Sequence, residues 1–138
     1  MPRVVLHLAP RLSEIARINE RLEAQATEVP LSTQILADMR LCLEEAVTNV
    51  VNHAFADIPD PTLRVELEAA PDVLIALVVD NGPAFDPLGH PLAPPLTDLG
   101  AAPIGGLGIR LLRARASALR YERLEVWNRL TITCRRRP

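Results

Sequence analysis

The sequence predicts an α/β fold, a two-layer sandwich in which helices cover one face of a mixed sheet. Three observations predict it. Two early segments repeat their apolar residues at helical spacing: Leu12, Ile15, Ile18 and Leu22, then Ile35, Met39, Leu43, Ala46 and Val50. Two middle segments, "TLRVELEA" and "VLIALVVD", alternate or run continuously apolar, as strands do. Two late segments, "YERLEV" and "RLTITCR", are strand-like and joined by a short turn, which implies antiparallel pairing. The order is strand, helix, helix, strand, strand, loop, helix, strand, strand, and it requires a helix layer packed on a sheet.

The elements follow from local chemistry. "VVLHLA" (4–9) is β-branched and bounded by Pro10, and reads as a strand. The first helix runs from Leu12 to Ala26, and Pro30 closes that segment. Ser32 is a fitting N-cap for the second helix, which extends to about Ala54 before Pro59 and Pro61 punctuate the loop. Leu63, Val65 and Leu67 then alternate with Arg64, Glu66 and Glu68. The run Val73 to Asp80 is a buried central strand that ends in an acid. Residues Asn81 to Ile104 are rich in Pro, Gly and Ala, and a loop of that length in a compact domain is functional or mobile. "GGLGIRLLRARASAL" reads as a glycine turn opening a third helix, and the last two strands turn at Trp127–Asn128.

Composition narrows the function. A chain of 138 residues predicts one domain, 1–138, around a single core. With 49% apolar residues it is globular rather than disordered. A net charge of −2 argues against direct nucleic-acid binding. No apolar run approaches the roughly 20 residues of a spanning helix, and the first ten residues do not make a signal peptide, so the expectation is a cytoplasmic protein away from the membrane. Cys42 and Cys134 have no partners at metal-ligand spacing and read as buried thiols. Arg135, Arg136 and Arg137 read as a solvated tail, and Arg17 and Arg21 as an exposed face of the first helix open to a partner or to water.

Three constellations carry chemistry. In "EEAVTNVVNHAF" (44–55), Glu45, Asn49 and His53 recur at four-residue spacing and share one helix face. An amide oxygen can complete a Mg²⁺ shell made otherwise of phosphate oxygens and water, and a carboxylate one turn earlier can take a proton. The same residues also suit a solvated face, and a helix-end His suits the C-terminal carbonyls. In "VVDNGPAFDP" (78–87), Asp80 can accept hydrogen bonds from an exocyclic amine, and Gly82 can let a flat ring approach the backbone. An ordinary turn uses the same residue types. In "GGLGIRLL" (105–112), glycines open a helix and present bare N–H groups to an anion, but without the GK[ST] of a Walker loop.

The order and spacing of these boxes resemble the GHKL ATPase superfamily over about Leu6 to Arg135. "EEAVTNVVNHAF" looks like its N box, "DNGPAFDP" its first glycine box and "GGLGIRLL" its second. "YERLEVWNRLTIT" is similar to the closing strands of the bacterial anti-sigma-factor serine kinases. The resemblance implies a two-layer α/β sandwich with ATP between helices and sheet. It implies that Asn49 holds Mg²⁺, that Glu45 is the general base, and that Asp80 reads the adenine amino group beside Gly82. Gly106 and Gly108 would offer N–H groups to the phosphates, and Thr131 a hydroxyl to adenine. Residues Pro87 to Ile104 would form a lid. That lid holds no Arg or Lys, His90 is its one candidate cation, and Arg110 is a possible substitute. The implied activity is that of an anti-sigma regulatory factor, a serine/threonine-protein kinase that phosphorylates a small antagonist protein and sequesters a sigma factor or other response regulator, as a homodimer. The rival reading is a non-catalytic, nucleotide-gated binding module with the same ATP pocket.

Overall fold

A computed structural model describes residues 3–89 and 106–137. The elements are β1 (Arg3–Leu8), α1 (Ile15–Glu28), α2 (Thr33–His53), β2 (Leu63–Ala70), β3 (Val73–Asp80), α3 (Gly106–Arg115), β4 (Ala118–Leu124) and β5 (Trp127–Arg135). A 3-10 turn at Leu12–Glu14 leads into α1, so the regular helix begins three residues later than its apolar stripe.

Among the described residues, five strands form one sheet in the order β1-β2-β3-β5-β4. Every neighbouring pair is antiparallel, which corrects the expected mixed sheet. The reason lies in the last hairpin. β3 and β4 run in the same direction, but β5 folds back between them, so no two parallel strands become neighbours. The hairpin turn also lies earlier than its sequence suggested. Leu124 pairs with Trp127, and the turn is Glu125–Val126, with Glu125 at φ 54°. Asn128 therefore belongs to β5 and sits directly opposite Asp80. The third helix likewise stops at Arg115, because the segment from Ala118 pairs with β5.

Alternation along the strands sorts the residues between two faces. Leu63, Val65 and Leu67 on β2, Leu74, Ala76 and Val78 on β3, and Leu130, Ile132 and Cys134 on β5 are buried. They meet Ile35, Met39, Leu43 and Val47 of α2, which lies at the centre of the helix layer between α1 and α3. Burying each large aliphatic side chain contributes about 1.5–3 kcal/mol, so this contact is the main support of the fold. Ser32 caps α2 as its sequence implied, its Oγ accepting from the Ile35 N–H at 3.2 Å. Both cysteines are free and buried.

Arg135, Arg136 and Arg137 are exposed, as their sequence implied, but Arg137 is also tied down: its guanidinium lies 3.2 Å from the buried carboxylate of Asp38, and its N–H donates to Gln34 Oε1 at 3.1 Å. Arg17 pairs with Glu14 and donates to the His7 carbonyl at 3.1 Å. Arg21 is half-buried, and its Nε is buried without a hydrogen-bond partner among the described residues. Among the described residues, no helix is long and apolar enough to cross a membrane.

Candidate functional site

The helical repeat sets the first wall of the site. Glu45, Asn49 and His53 are four residues apart on α2, and all three line a single cavity of about 310 Å³. Val78 and Asp80 enter from β3, Gly108, Ile109 and Leu112 from α3, and Tyr121, Asn128 and Leu130 from the last hairpin. The volume is at the lower end of the roughly 300–1,000 Å³ range of small-molecule sites. Its lining mixes apolar side chains, among them Val50, Val78, Ile109, Leu112 and Leu130, with the polar groups of Glu45, Asn49, His53, Asp80 and Asn128.

Asp80 terminates β3 and is 5% exposed. Its Oδ1 accepts from the Gly82 N–H at 2.9 Å and from Asn128 Nδ2 at 3.0 Å. Among the described residues, none donates to Oδ2. Burial pushes the Asp80 carboxyl up, and the hydrogen bonds from Asn128 and Gly82 and the Arg123 charge work against that rise. Glu45 is also raised, by burial and then by the neighbouring Glu44. Among the described residues, neither oxygen of Glu45 receives a hydrogen bond, so the carboxylate is open to a proton from a ligand.

The glycines earn their positions by close approach. A Cβ on Gly108 would come within 2.5 Å of Glu45 Oε2. A Cβ on Gly82 would meet the Ala54 side chain at 2.6 Å and its carbonyl oxygen at 2.9 Å. Gly82 thus seats the turn after β3 against the C-terminal end of α2, and it is not among the residues lining the cavity. Gly106 is the first residue of α3, one turn of the glycine-rich box that faces the cavity through Gly108. His90 and the rest of the expected lid from residue 90 to Ile104 lie outside the described residues. Arg110 is on α3 but is not among the residues lining the cavity.

The structure does not bring Thr131 to the cavity. Leu130 and Ile132 face the helices, so Thr131 lies on the opposite face of the sheet, in register with Leu77 and Arg120. Asn128 faces the cavity instead, and sequence reasoning missed it. Its Nδ2 donates to Asp80 and to the carbonyl of Pro83 at 2.9 Å, and its Oδ1 accepts from the Phe85 N–H at 3.3 Å and from the Tyr121 hydroxyl. The signal was present: period-two counting from Leu130 and Ile132 places position 128 inward and position 131 outward.

Cavity, boxes and sheet together define an ATPase domain related to that of histidine kinases. The family described as histidine kinase-like ATPase domain matches residues 8–134, and the chain belongs to it. Among individual proteins, it is 36% identical over 108 residues to the serine/threonine-protein kinase BtrW of Bordetella bronchiseptica, covering 78% of this chain and 75% of BtrW. It is 30% identical over 84 residues to the serine-protein kinase RsbW of Listeria innocua, covering 61% of this chain and about half, 54%, of that protein. In fold it resembles the crystal structure of the RsbU and RsbW domains of a Mycobacterium tuberculosis protein. The TM-score there is 0.67 at 19% identity, over 98% of this chain and 32% of that one.

Proposed function

We propose that the chain is an ATP-dependent serine/threonine-protein kinase that phosphorylates a serine of a small antagonist protein and sequesters a sigma factor or other response regulator. The observation that carries the reading is the convergence of Glu45, Asn49, Asp80 and Gly108 on one cavity. Similarity to BtrW and RsbW, both named as kinases, supports the reaction type. As part of the same proposal, drawn from the resemblance of its sequence boxes rather than from these relatives, the protein acts in the cytoplasm, as one domain and as a homodimer.

In this scheme the base lies at the Asp80 end, with Asp80 Oδ2 accepting from the adenine amino group. The triphosphate points toward Gly106 and Gly108, whose backbone N–H groups at the opening of α3 favour negative charge. The residues fit Mg²⁺ as a partner of the nucleotide rather than as a resident ion. Among the described residues there is no cluster of three or more His, Cys, Asp or Glu ligands, while the amide of Asn49 lines the cavity. Asn49 would hold the ion together with phosphate oxygens and water, and the ion when bound supplies charge neutralisation along the phosphates. The serine oxygen attacks the γ-phosphorus, its proton passes to the Glu45 carboxylate, and the bond from the γ-phosphorus to the bridging oxygen breaks to release ADP. A carboxyl raised by burial is a better proton acceptor at neutral pH than a solvated one.

Incubation with γ-labelled ATP and the cognate antagonist tests this. The expected result is label on a serine of the antagonist, reduced by about 10²–10⁴-fold in Glu45→Ala. ATP binding without transfer by the wild-type protein would overturn the kinase reading. It would leave the nucleotide-gated binding module, which the absence of Arg and Lys between Pro87 and Ile104 favours.

A further inference from the structure

We infer that Asn128 is a positioning residue that orients Asp80 and so sets base selectivity in the cavity. The inference rests on the nucleotide reading above and goes beyond it, because it concerns a residue outside the three sequence boxes.

Position 128 is opposite Asp80 in the β3–β5 register, so a side chain there meets the carboxylate head-on. Asn128 is 6% exposed and its amide is fully engaged. Nδ2 donates to Asp80 Oδ1 at 3.0 Å, to the Pro83 carbonyl at 2.9 Å and to the Gly82 carbonyl at 3.3 Å. Oδ1 accepts from the Phe85 N–H and from the Tyr121 hydroxyl. Arg123 adds a second tie from β4, donating to the Gly82 carbonyl at 2.7 Å. One amide therefore holds both the carboxylate and the turn that walls the base end of the cavity.

The consequence is directional. With Oδ1 occupied by two protein donors, Oδ2 is the oxygen left for the ligand. An ionised Oδ2 accepts from the 6-amino group of adenine and repels the 6-oxo group of hypoxanthine. The Asn128 donor favours the ionised form against the pull of burial. Without it, the carboxyl binds a proton more readily. A protonated carboxyl no longer accepts from adenine, and it donates to a 6-oxo group. Loss of Asn128 must then weaken ATP binding most at low pH and narrow the preference for ATP over ITP. The other charged or titratable groups around Asp80 are Arg123 and Tyr121 on β4 and Glu45 and His53 across the cavity on α2. All of these remain in an Asn128 variant, so the difference between variant and wild-type profiles reports Asp80.

The test is calorimetric titration of ATP and ITP from pH 5.5 to 8.5 with wild type, Asn128→Ala and Tyr121→Phe. The expected result for Asn128→Ala is a loss of about tenfold or more in ATP affinity at the acid end. That loss shrinks toward alkaline pH, and the ATP:ITP ratio falls at every pH. Tyr121→Phe, which frees one acceptor of the amide but keeps the ring, shows the same trend with smaller amplitude and decides the matter if Asn128→Ala does not fold. A folded variant that weakens ATP and ITP equally, with the wild-type pH profile, overturns the inference and leaves Asn128 a purely structural residue. Wild type that binds neither nucleotide overturns the reading beneath it, and this inference falls with it.

Discussion

Gly108 and Glu45 touch: the space a Cβ on Gly108 would fill lies 2.5 Å from Glu45 Oε2. The contact joins α3 to α2 at the place where the glycine box meets the acidic residue of the N box. Gly108→Ala must push the Glu45 carboxylate aside. Alanine is also the better helix former, by roughly 0.5–1 kcal/mol over glycine in a helix interior. The expected outcome is a chain whose melting temperature is unchanged or slightly higher, while phosphoryl transfer to the antagonist is strongly reduced. Thermal melts beside a transfer assay check this, and wild-type transfer in Gly108→Ala would show that the Glu45 position does not matter.

Gly82 makes the opposite prediction. Its missing Cβ is filled by Ala54, so Gly82→Ala overpacks the junction between the turn after β3 and the end of α2. Overpacking of this kind costs about 1–3 kcal/mol. Urea unfolding should show that loss, and Ala54→Gly in the same chain should restore part of it by removing the nearest of the obstructing atoms. Independent, additive effects of the two changes would contradict the contact.

Asn49 is expected to act through the metal. Saturating nucleotide at about 100 times its Kd stabilises a binding protein by about 2.7 kcal/mol. In the wild-type protein that stabilisation should be larger with magnesium than with EDTA. In Asn49→Ala the difference should disappear while the fold remains. Equal magnesium dependence in both proteins would remove Asn49 from the metal's surroundings.

Asp80 predicts a pH effect on stability as well as on binding. Its carboxyl is raised in the folded state, chiefly by burial. A raised carboxyl stabilises the fold in its protonated form, fully below the unfolded value of about 3.9, and this contribution is lost as pH rises through the folded value. At neutral pH the buried charge is therefore a net cost. Asp80→Asn keeps an oxygen for the Gly82 and Asn128 donors and removes the charge. Its melting temperature should exceed that of wild type at pH 7–8, the gain should vanish near pH 4, and ATP should no longer stabilise it. A melting temperature below wild type at pH 8 would contradict the burial argument.

Much of this was legible along the chain. The column Glu45, Asn49, His53 needed only the helical repeat, because α2 is long, capped by Ser32 and striped with Ile35, Met39 and Leu43. Asp80 was legible as the acid closing a continuously apolar strand. The errors arose where one residue of register decides the outcome. Placing the last turn at Trp127–Asn128 rather than at Glu125–Val126 removed Asn128 from β5 and hid it from the site. The family resemblance implies a role for the Thr131 hydroxyl, but its neighbours Leu130 and Ile132 point inward and a strand reverses face at each residue. The charge on Arg137 was visible, but not the buried Asp38 that captures it from 99 residues away.

By itself, then, the sequence determined the elements that depend on local repeats: the helices, most strands, and the residues that share a helix face. Only the tertiary structure decided the antiparallel order with β5 between β3 and β4, the meeting of Gly108 with Glu45, and the pairing of Asp80 with Asn128. The pairing of β5 with β3, the Gly108–Glu45 contact and the Asp80–Asn128 contact join residues 48 to 63 positions apart, and the physical reason is that they are set by how sheet and helices pack, which no local period encodes.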